Sequence, residues 1–103
     1  MRRPLVQTAL AAALLSVPQS GAAQTASPPR VLLACAPCHG FDGIGRESDI
    51  PNLAGQRREY LHNQLTAFGT GQRRHPEMNF FSGHMTKEEM RQVADYYSAL
   101  PAR

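Results

Sequence analysis

Along the last part of the chain, apolar residues recur every three or four positions, which is the spacing of one face of an α-helix. They are Met90, Val93, Ala94, Tyr97 and Leu100. Thr86 and Glu89 have the spacing of a capping box at the start of this helix, and Met85 precedes the cap, where it can pack on Met90 as a hydrophobic staple. Pro101 follows the last apolar position and is expected to end the helix.

Two earlier helices are predicted from shorter patterns. The segment 57–68 places apolar residues at i, i+4 and i+7, and Gly69 and Gly71 are expected to end it. A first helix is expected over residues 28–38, with Ser27 as its cap and proline in its first turn. No stretch alternates between apolar and polar residues as a strand would. The pattern therefore predicts an all-α fold of three main helices and long loops.

The N-terminal segment has the pattern of a secretory signal. Arg2-Arg3 precede an apolar stretch over residues 5–17, and small residues follow at positions 21–23. The apolar stretch is shorter than the roughly 18 residues that are needed to cross a bilayer. We therefore expect residues 1–23 to be a signal peptide that is removed on export, and residues 24–103 to be one periplasmic domain that does not span the membrane.

The exported domain is small and almost neutral. The whole chain carries 11 Lys and Arg residues against 8 Asp and Glu residues, a formal net charge of +3, and two of the positive charges leave with the signal peptide. A surface without a strong positive field argues against nucleic acid as a partner. A core built from so few residues usually needs a disulfide, a metal or a cofactor to complete it.

Both cysteines of the chain lie in one short motif, Cys35-Ala36-Pro37-Cys38-His39. Two thiols separated by two residues, with a histidine directly after the second, form the pattern through which a c-type haem is attached. The thiols add to the haem vinyl groups, and the histidine binds the iron. The glycine-rich segment 40–45 lets the chain leave this turn close to the macrocycle. The motif therefore predicts one covalent haem c on Cys35 and Cys38, with His39 as an axial ligand.

Two other uses of the thiols explain less of the motif. A disulfide, structural or thioredoxin-like, leaves His39 without a role, and a thioredoxin-like motif needs a βαβ pattern that this sequence lacks. Tetrahedral zinc would need two histidines beside the two cysteines. The spacing of His39, His62, His75 and His84 is not that of a zinc finger. Haem is therefore favoured over both alternatives.

Methionine is the usual second axial ligand in electron-transfer haems with one histidine ligand, because its soft thioether favours ferrous iron. Met78 lies in a segment before the last helix that has no helical or strand periodicity and is expected to be a loop. Met85 and Met90 are assigned to the packing of the last helix. Met78 is therefore predicted to be the second iron ligand, with His75 and His84 as alternatives that would lower the potential.

His39 also needs a partner that orients its ring. A metal-bound histidine usually donates its second ring N–H to a nearby acceptor, such as a backbone carbonyl. Pro51 follows in the loop after the motif. Its carbonyl is the candidate acceptor for His39.

The residues around these positions resemble class I c-type cytochromes over nearly all of the exported domain. The haem-binding signature of these cytochromes is matched by Cys35, Cys38, His39, Gly40, Asp42, Gly43 and Gly45. A second group of residues is similar to the small bacterial monohaem cytochromes c and to each half of the dihaem cytochromes c: the run Pro51-Asn52-Leu53-Ala54-Gly55-Gln56, Tyr60, Leu61, Gln64, Leu65, Phe68 and Gly71. The resemblance implies the cytochrome c fold, with the first and last helices crossing near the motif at Tyr97. It also implies Met78 as an axial ligand and Pro51 as the partner of His39. Ser27 stands where these proteins usually carry a glycine, so the crossing is expected to be shortened or shifted.

The expected function follows from the motif and the resemblance together. The chain has one attachment motif and no internal repeat, so one haem is expected. We expect a periplasmic protein that carries one electron between redox partner proteins and is not itself an enzyme. Two alternatives keep the haem: a cytochrome subunit of a larger dehydrogenase or oxidase, and a haem peroxidase or gas sensor whose second axial position is open.

Overall fold

The computed structural model describes residues 1–18 and 27–103, and within these ranges the chain forms helices and no strand. The four helices are α1 (Leu32–His39), α2 (Arg58–Thr70), α3 (Pro76–Gly83) and α4 (Lys87–Ser98). The prediction of an all-α fold is confirmed. The prediction of three main helices is wrong by one, because it misses α3.

The N-terminal segment 1–18 adopts no regular secondary structure and is exposed. The expected end of the signal peptide at residue 23 lies outside the described residues. Among the helices that the structure describes, none has both the length and the apolar character needed to cross a bilayer.

α1 begins at Leu32, so the predicted start at residue 28 is wrong, and Ser27 does not cap the helix. Pro29 is the physical reason, because a proline disfavours the helical conformation in the residue before it. The chain instead makes a turn in which the Leu32 N–H donates to the Pro29 carbonyl at 2.9 Å. Val31 occupies the cap position without a side-chain hydrogen bond.

α2 continues to Thr70, so the predicted stop at Gly69 is wrong. Gly71 is the residue that caps the helix, with a φ of 81° in the left-handed region that favours glycine. Gly69 has a packing role instead, since a Cβ there would lie 3.2 Å from Met90 Cε and 3.3 Å from the Ser82 carbonyl oxygen. The missing side chain lets α3 and α4 approach α2 closely.

α3 is the helix that the hydropathy pattern does not show, and it contains Met78, which was expected in a loop. His75 is its N-cap, and its Nδ1 accepts a hydrogen bond from the Met78 N–H at 3.4 Å. Pro76 occupies the first helical position, where its missing N–H breaks no bond. Asn79 ties α3 to α2, because its Nδ2 donates to the Phe68 carbonyl at 2.9 Å. An eight-residue helix holds too few apolar positions to show a helical period. The signal in the sequence for the start of this helix is His75 followed by Pro76.

The predicted start of α4 is confirmed. Thr86 Oγ1 accepts from the Glu89 N–H at 3.1 Å, and Glu89 Oε1 accepts from the Thr86 N–H at 3.0 Å. These two bonds satisfy backbone donors that the first turn of a helix otherwise leaves unpaired. The helix ends at Ser98, before the proline that was expected to stop it. Met90 is buried, and Met85 packs half-buried on the same core.

One hydrophobic core joins α1, α2 and α4. Its buried members are Leu32, Leu61, Leu65, Met90, Val93, Ala94 and Tyr97. Leu32 of α1 and Tyr97 of α4 are both 0% exposed and belong to this one core. The helix pairs that pack extensively are α2 with α3 and α2 with α4, so the expected crossing of the first and last helices is at most a small contact.

Two neighbouring tyrosines fasten α4 to the segment that follows α1. Tyr97 Oη donates to the Gly40 carbonyl at 2.9 Å, and Tyr96 Oη donates to the next carbonyl, that of Phe41, at 2.6 Å. Burial raises the pKa of Tyr97 far above its usual value, so this hydroxyl stays a neutral donor. The last helix therefore fixes the position of the chain directly after the CxxCH motif.

We expect Tyr97→Phe to lower the free energy of unfolding by about 1–3 kcal/mol, because the Gly40 carbonyl would lose its donor in a buried site. Tyr96→Phe is the matched control. Its bond to Phe41 is exposed, so water can replace it, and we expect a cost of about 0.5 kcal/mol. Urea denaturation followed by circular dichroism measures both variants, and equal losses would contradict the assignment.

Candidate functional site

α1 places the two cysteines one helical turn apart. Cys35 is half-buried, Cys38 is exposed, and both thiols are free. Cys35 Sγ donates to the Val31 carbonyl at 3.7 Å, and burial raises the pKa of this thiol to about 11. Thiol–disulfide exchange is carried out by cysteines whose pKa is lowered. The environment of Cys35 therefore does not favour the thioredoxin-like alternative.

His39 ends α1 with its ring held in place. Its Nδ1 lies 2.9 Å from the carbonyl oxygen of Pro51, the acceptor that was expected. A carbonyl can only accept, so the proton sits on Nδ1 and Nε2 is left with a free lone pair. The side chain is 8% exposed; burial lowers the pKa of His39, and the bond to Pro51 opposes this. The result is a neutral imidazole in the tautomer that can bind a metal through Nε2.

The loop that presents Pro51 packs on the glycine-rich segment after His39. The Gly43 carbonyl accepts from the N–H groups of Leu53 at 2.8 Å and Ala54 at 3.0 Å. Gly43 has a φ of +74°, and a Cβ at this position would lie 2.7 Å from the Ala54 nitrogen. Only glycine combines this backbone conformation with such a close approach. The spacing between the loop and the motif therefore depends on Gly43.

A second close approach between the glycine-rich segment and the loop that carries Pro51 lies at Gly45. A Cβ at Gly45 would overlap the carbonyl oxygen of Ile50. The Gly45 N–H donates to Asn52 Oδ1 at 2.8 Å, and the next N–H, that of Arg46, donates back to the Cys38 carbonyl at 2.9 Å. The segment after the motif is therefore bonded both to α1 and to the loop that carries Pro51.

A cavity of about 640 Å³ lies between α1, α2, α3 and this loop. Cys35, Cys38, His39 and Met78, which were predicted from the sequence to hold the cofactor, all line it. Its apolar lining includes Leu53, Leu61, Leu65, Phe68, Phe81, Met85 and Val93. The volume and the apolar character are those of a site for a small-molecule or cofactor ligand.

Met78 reaches the cavity from α3, where it packs partly buried against the core. Met85 was assigned only to the packing of the last helix, but it also lines this cavity. Met90 is buried in the core and does not line the cavity. Of the two alternative histidines, His75 lines the cavity. His84 does not, and its Nδ1 lies 2.6 Å from a carbonyl oxygen of α3. Of the side chains considered as the second iron ligand, Met78, Met85 and His75 therefore line the cavity.

The donor groups at this cavity fit a covalently bound haem. Two thiols one turn apart, a neutral histidine with a free Nε2 and a thioether around a mainly apolar space are the groups that c-type haems use. Within residues 1–18 and 27–103, no three histidine, cysteine or acidic side chains are grouped so that they could hold a bare metal ion. The geometry therefore suits a porphyrin rather than isolated zinc.

The fold and the site together define a small helical haem protein with one CxxCH attachment motif. The family model for cytochrome c matches residues 22–100. The chain therefore belongs to the cytochrome c family, in which electron transfer is carried out by covalently attached haem c.

Three similar proteins agree with this assignment. Cytochrome c-552 of Acidithiobacillus ferridurans is 45% identical over 67 residues, which cover 65% of this chain and 29% of that protein. The thiosulfate dehydrogenase electron acceptor of Thiomonas intermedia is 35% identical over 101 residues, which cover 97% of this chain and 45% of that protein. The structure of cytochrome c4 from Acidithiobacillus ferrooxidans has a TM-score of 0.61 at 44% identity and covers 64% of this chain and 38% of that one. The chain thus spans less than half of the length of each relative, and the predicted resemblance to c-type cytochromes is confirmed.

We expect Gly45→Ala to lower the free energy of unfolding by about 1–3 kcal/mol, because the new Cβ would overlap a backbone oxygen that cannot rotate away. Gly83→Ala is the matched control. Gly83 is the last residue of α3, and nothing lies within 4 Å of a Cβ built there. We expect this control to be neutral or more stable by up to about 1 kcal/mol. Thermal denaturation of both variants is the measurement, and a neutral Gly45→Ala would contradict the close approach at Ile50.

Proposed function

We propose that residues 24–103 form a periplasmic electron carrier that holds one haem c and transforms no substrate itself. The observation that supports this most directly is the meeting of Cys35, Cys38, His39 and Met78 at one cavity. The single CxxCH motif supports one haem rather than two. Residues 1–23 are proposed to be the signal peptide that directs export and is then removed.

Each residue at the cavity has a separate task in this proposal. Bound haem c supplies a one-electron couple between ferrous and ferric iron. Cys35 and Cys38 would hold the macrocycle through thioether bonds, while Nε2 of His39 and the thioether of Met78 would bind the iron from opposite sides. With both of these ligands on the iron, no iron position would be left for a substrate.

The surroundings of the ligands act on the reduction potential in opposite directions. The thioether of Met78 and the apolar lining of the cavity favour the ferrous state, because a dry site disfavours the extra charge of ferric iron. The hydrogen bond from His39 to Pro51 increases electron donation from the imidazole and so favours the ferric state. The potential of a haem bound here would therefore be set by a balance between these opposing influences.

The proposed partners are redox proteins. The relative in Thiomonas intermedia is named as the electron acceptor of a thiosulfate dehydrogenase. We propose a dehydrogenase that releases single electrons as the kind of donor for this chain. A second candidate function, in which the chain is the cytochrome subunit of a dehydrogenase complex, is favoured by another similar protein, which is named as the cytochrome subunit of sulfide dehydrogenase of Chlorobaculum tepidum. Co-purification with a flavin or molybdenum subunit would favour the subunit, and purification as a free monomer would favour the carrier.

Expression in a host that matures c-type cytochromes tests the covalent attachment. We expect the purified chain to be red, with a mass under denaturing conditions that exceeds the mature polypeptide by one haem. The double variant Cys35→Ser/Cys38→Ser should release its haem on denaturation, because no thioether can form. A colourless wild-type chain with the mass of the bare polypeptide would overturn the proposal.

Optical spectroscopy of Met78→Ala tests the second axial ligand. We expect the ferric variant to lose the thioether-to-iron charge-transfer band and the ferrous variant to bind carbon monoxide rapidly, because one axial position has opened. Met85→Ala is the matched control, since Met85 lines the same cavity, and it should keep the band. Loss of the band in Met85→Ala alone would move the ligand to Met85. Rapid carbon monoxide binding by the wild type would instead favour the open-site peroxidase or sensor.

A further inference from the structure

The peptide that carries the acceptor for His39 has few backbone anchors of its own. Pro51 has no N–H group, and the backbone N–H of Asn52 makes no hydrogen bond to any residue in the described ranges. Both residues are exposed. The side chain of Asn52 is nevertheless tied down, because its Oδ1 accepts from the Gly45 N–H at 2.8 Å. Besides the bond between the Pro51 carbonyl and His39 itself, this side-chain bond is what anchors the Pro51–Asn52 peptide within the described residues.

We propose that Asn52 is a positioning residue for His39. By tying the Pro51–Asn52 peptide to Gly45, it fixes the direction of the Pro51 carbonyl and so sets how strongly His39 donates electrons to the haem iron. The inference deepens the proposed function and rests on it, since it concerns His39 as an iron ligand.

The neighbouring contacts show why a side-chain tether matters at this point. After Asn52, the N–H groups of residues 53 and 54 bond to the Gly43 carbonyl. Before Pro51, the Ile50 N–H closes a tight turn on the Glu47 carbonyl at 3.0 Å. The peptide of Pro51 and Asn52 spans the gap between these two fixed points. Without the bond from Asn52, this peptide unit keeps only the hydrogen bond between its carbonyl and His39.

Rotation of this peptide would change the bond to His39 directly. The carbonyl oxygen of Pro51 and the N–H of Asn52 belong to one planar unit, so a rotation of this peptide unit turns the oxygen as well. A hydrogen bond weakens steeply as its angle departs from linearity. Weakening the Nδ1–H···O bond makes the imidazole a poorer electron donor, destabilises ferric iron and raises the reduction potential.

The test compares Asn52→Ala with two further variants at the same position in the haem-loaded protein. Asn52→Leu keeps the approximate size of the side chain without an acceptor, and Asn52→Asp keeps an acceptor for the Gly45 N–H. Asn63→Ala is the control, because Asn63 is exposed on α2 and does not line the cavity. The readouts are the reduction potential and, in the ferrous protein, the exchange rate of the His39 Nδ1 proton measured by NMR.

We expect Asn52→Ala and Asn52→Leu to speed this proton exchange by about tenfold or more and to raise the potential. The shift in potential should correspond to a change in the ferrous-to-ferric ratio of up to about tenfold, which is about 59 mV for a one-electron couple. Asn52→Asp should keep slow exchange, although its negative charge lowers the potential. Asn63→Ala should change neither readout.

Two results would separate this inference from the proposed function. If Asn52→Ala and Asn52→Leu keep His39 on the iron with unchanged exchange and potential, the role of Asn52 is overturned while the electron carrier stands. If exchange is as fast in Asn52→Asp as in Asn52→Ala, the acceptor atom is irrelevant and the inference is again overturned. A wild-type haem protein without an iron–His39 bond would overturn both.

Discussion

The hydrogen bond between Nδ1 of His39 and the Pro51 carbonyl is the contact on which the rest of the site depends. It fixes the tautomer of the imidazole, so that Nε2 keeps a free lone pair, and it fixes the plane of the ring. The bond joins the end of α1 to a loop without regular structure. Two close backbone approaches, at Gly43 and Gly45, lie beside this loop. Their common effect is to hold one carbonyl oxygen in one place.

The hydrophobic core and the wall of the cavity share side chains. Within the residues that the structure describes, the core cluster contains seven buried side chains, and a cavity of about 640 Å³ lies beside it. Leu61, Leu65 and Val93 belong to both the core and the cavity wall. Apolar space that is left unfilled costs stability in proportion to its volume. A haem at this position would therefore supply packing for a small domain as well as redox chemistry.

Much of the site could be predicted from the sequence because its parts are local. The CxxCH motif and the capping box of Thr86 and Glu89 each lie within a few residues, so their spacing alone defines them. The start of α1 was misplaced because the effect of Pro29 on the preceding residue outweighs the cap at Ser27. Met78 lines the cavity, although the helix that carries it was missed, since α3 is too short for a periodic signal.

Other features depend on packing between helices and leave no local trace in the sequence. Gly69 reads as a helix stop, and only the approach of Ser82 and Met90 shows that it is a contact point between helices. Met85 precedes a helix cap, and its place in the cavity wall depends on how α3 and α4 are arranged around the site. The tether from Asn52 to Gly45 is likewise a contact across two loop segments, visible only once both are folded.

The hydrogen bond from Tyr97 to Gly40 joins residues that are 57 positions apart in the chain. This separation means that the CxxCH motif is present before the helix that fastens it. When the polypeptide emerges with its N-terminus first, both thiols and the imidazole of the motif are exposed before the last helix has emerged. Closing so long a loop carries an entropic penalty that only the completed helix can offset. Haem attachment can therefore take place while the N-terminal half is still unfolded. The hydrogen bonds of Tyr96 and Tyr97 then form once α4 has folded against it.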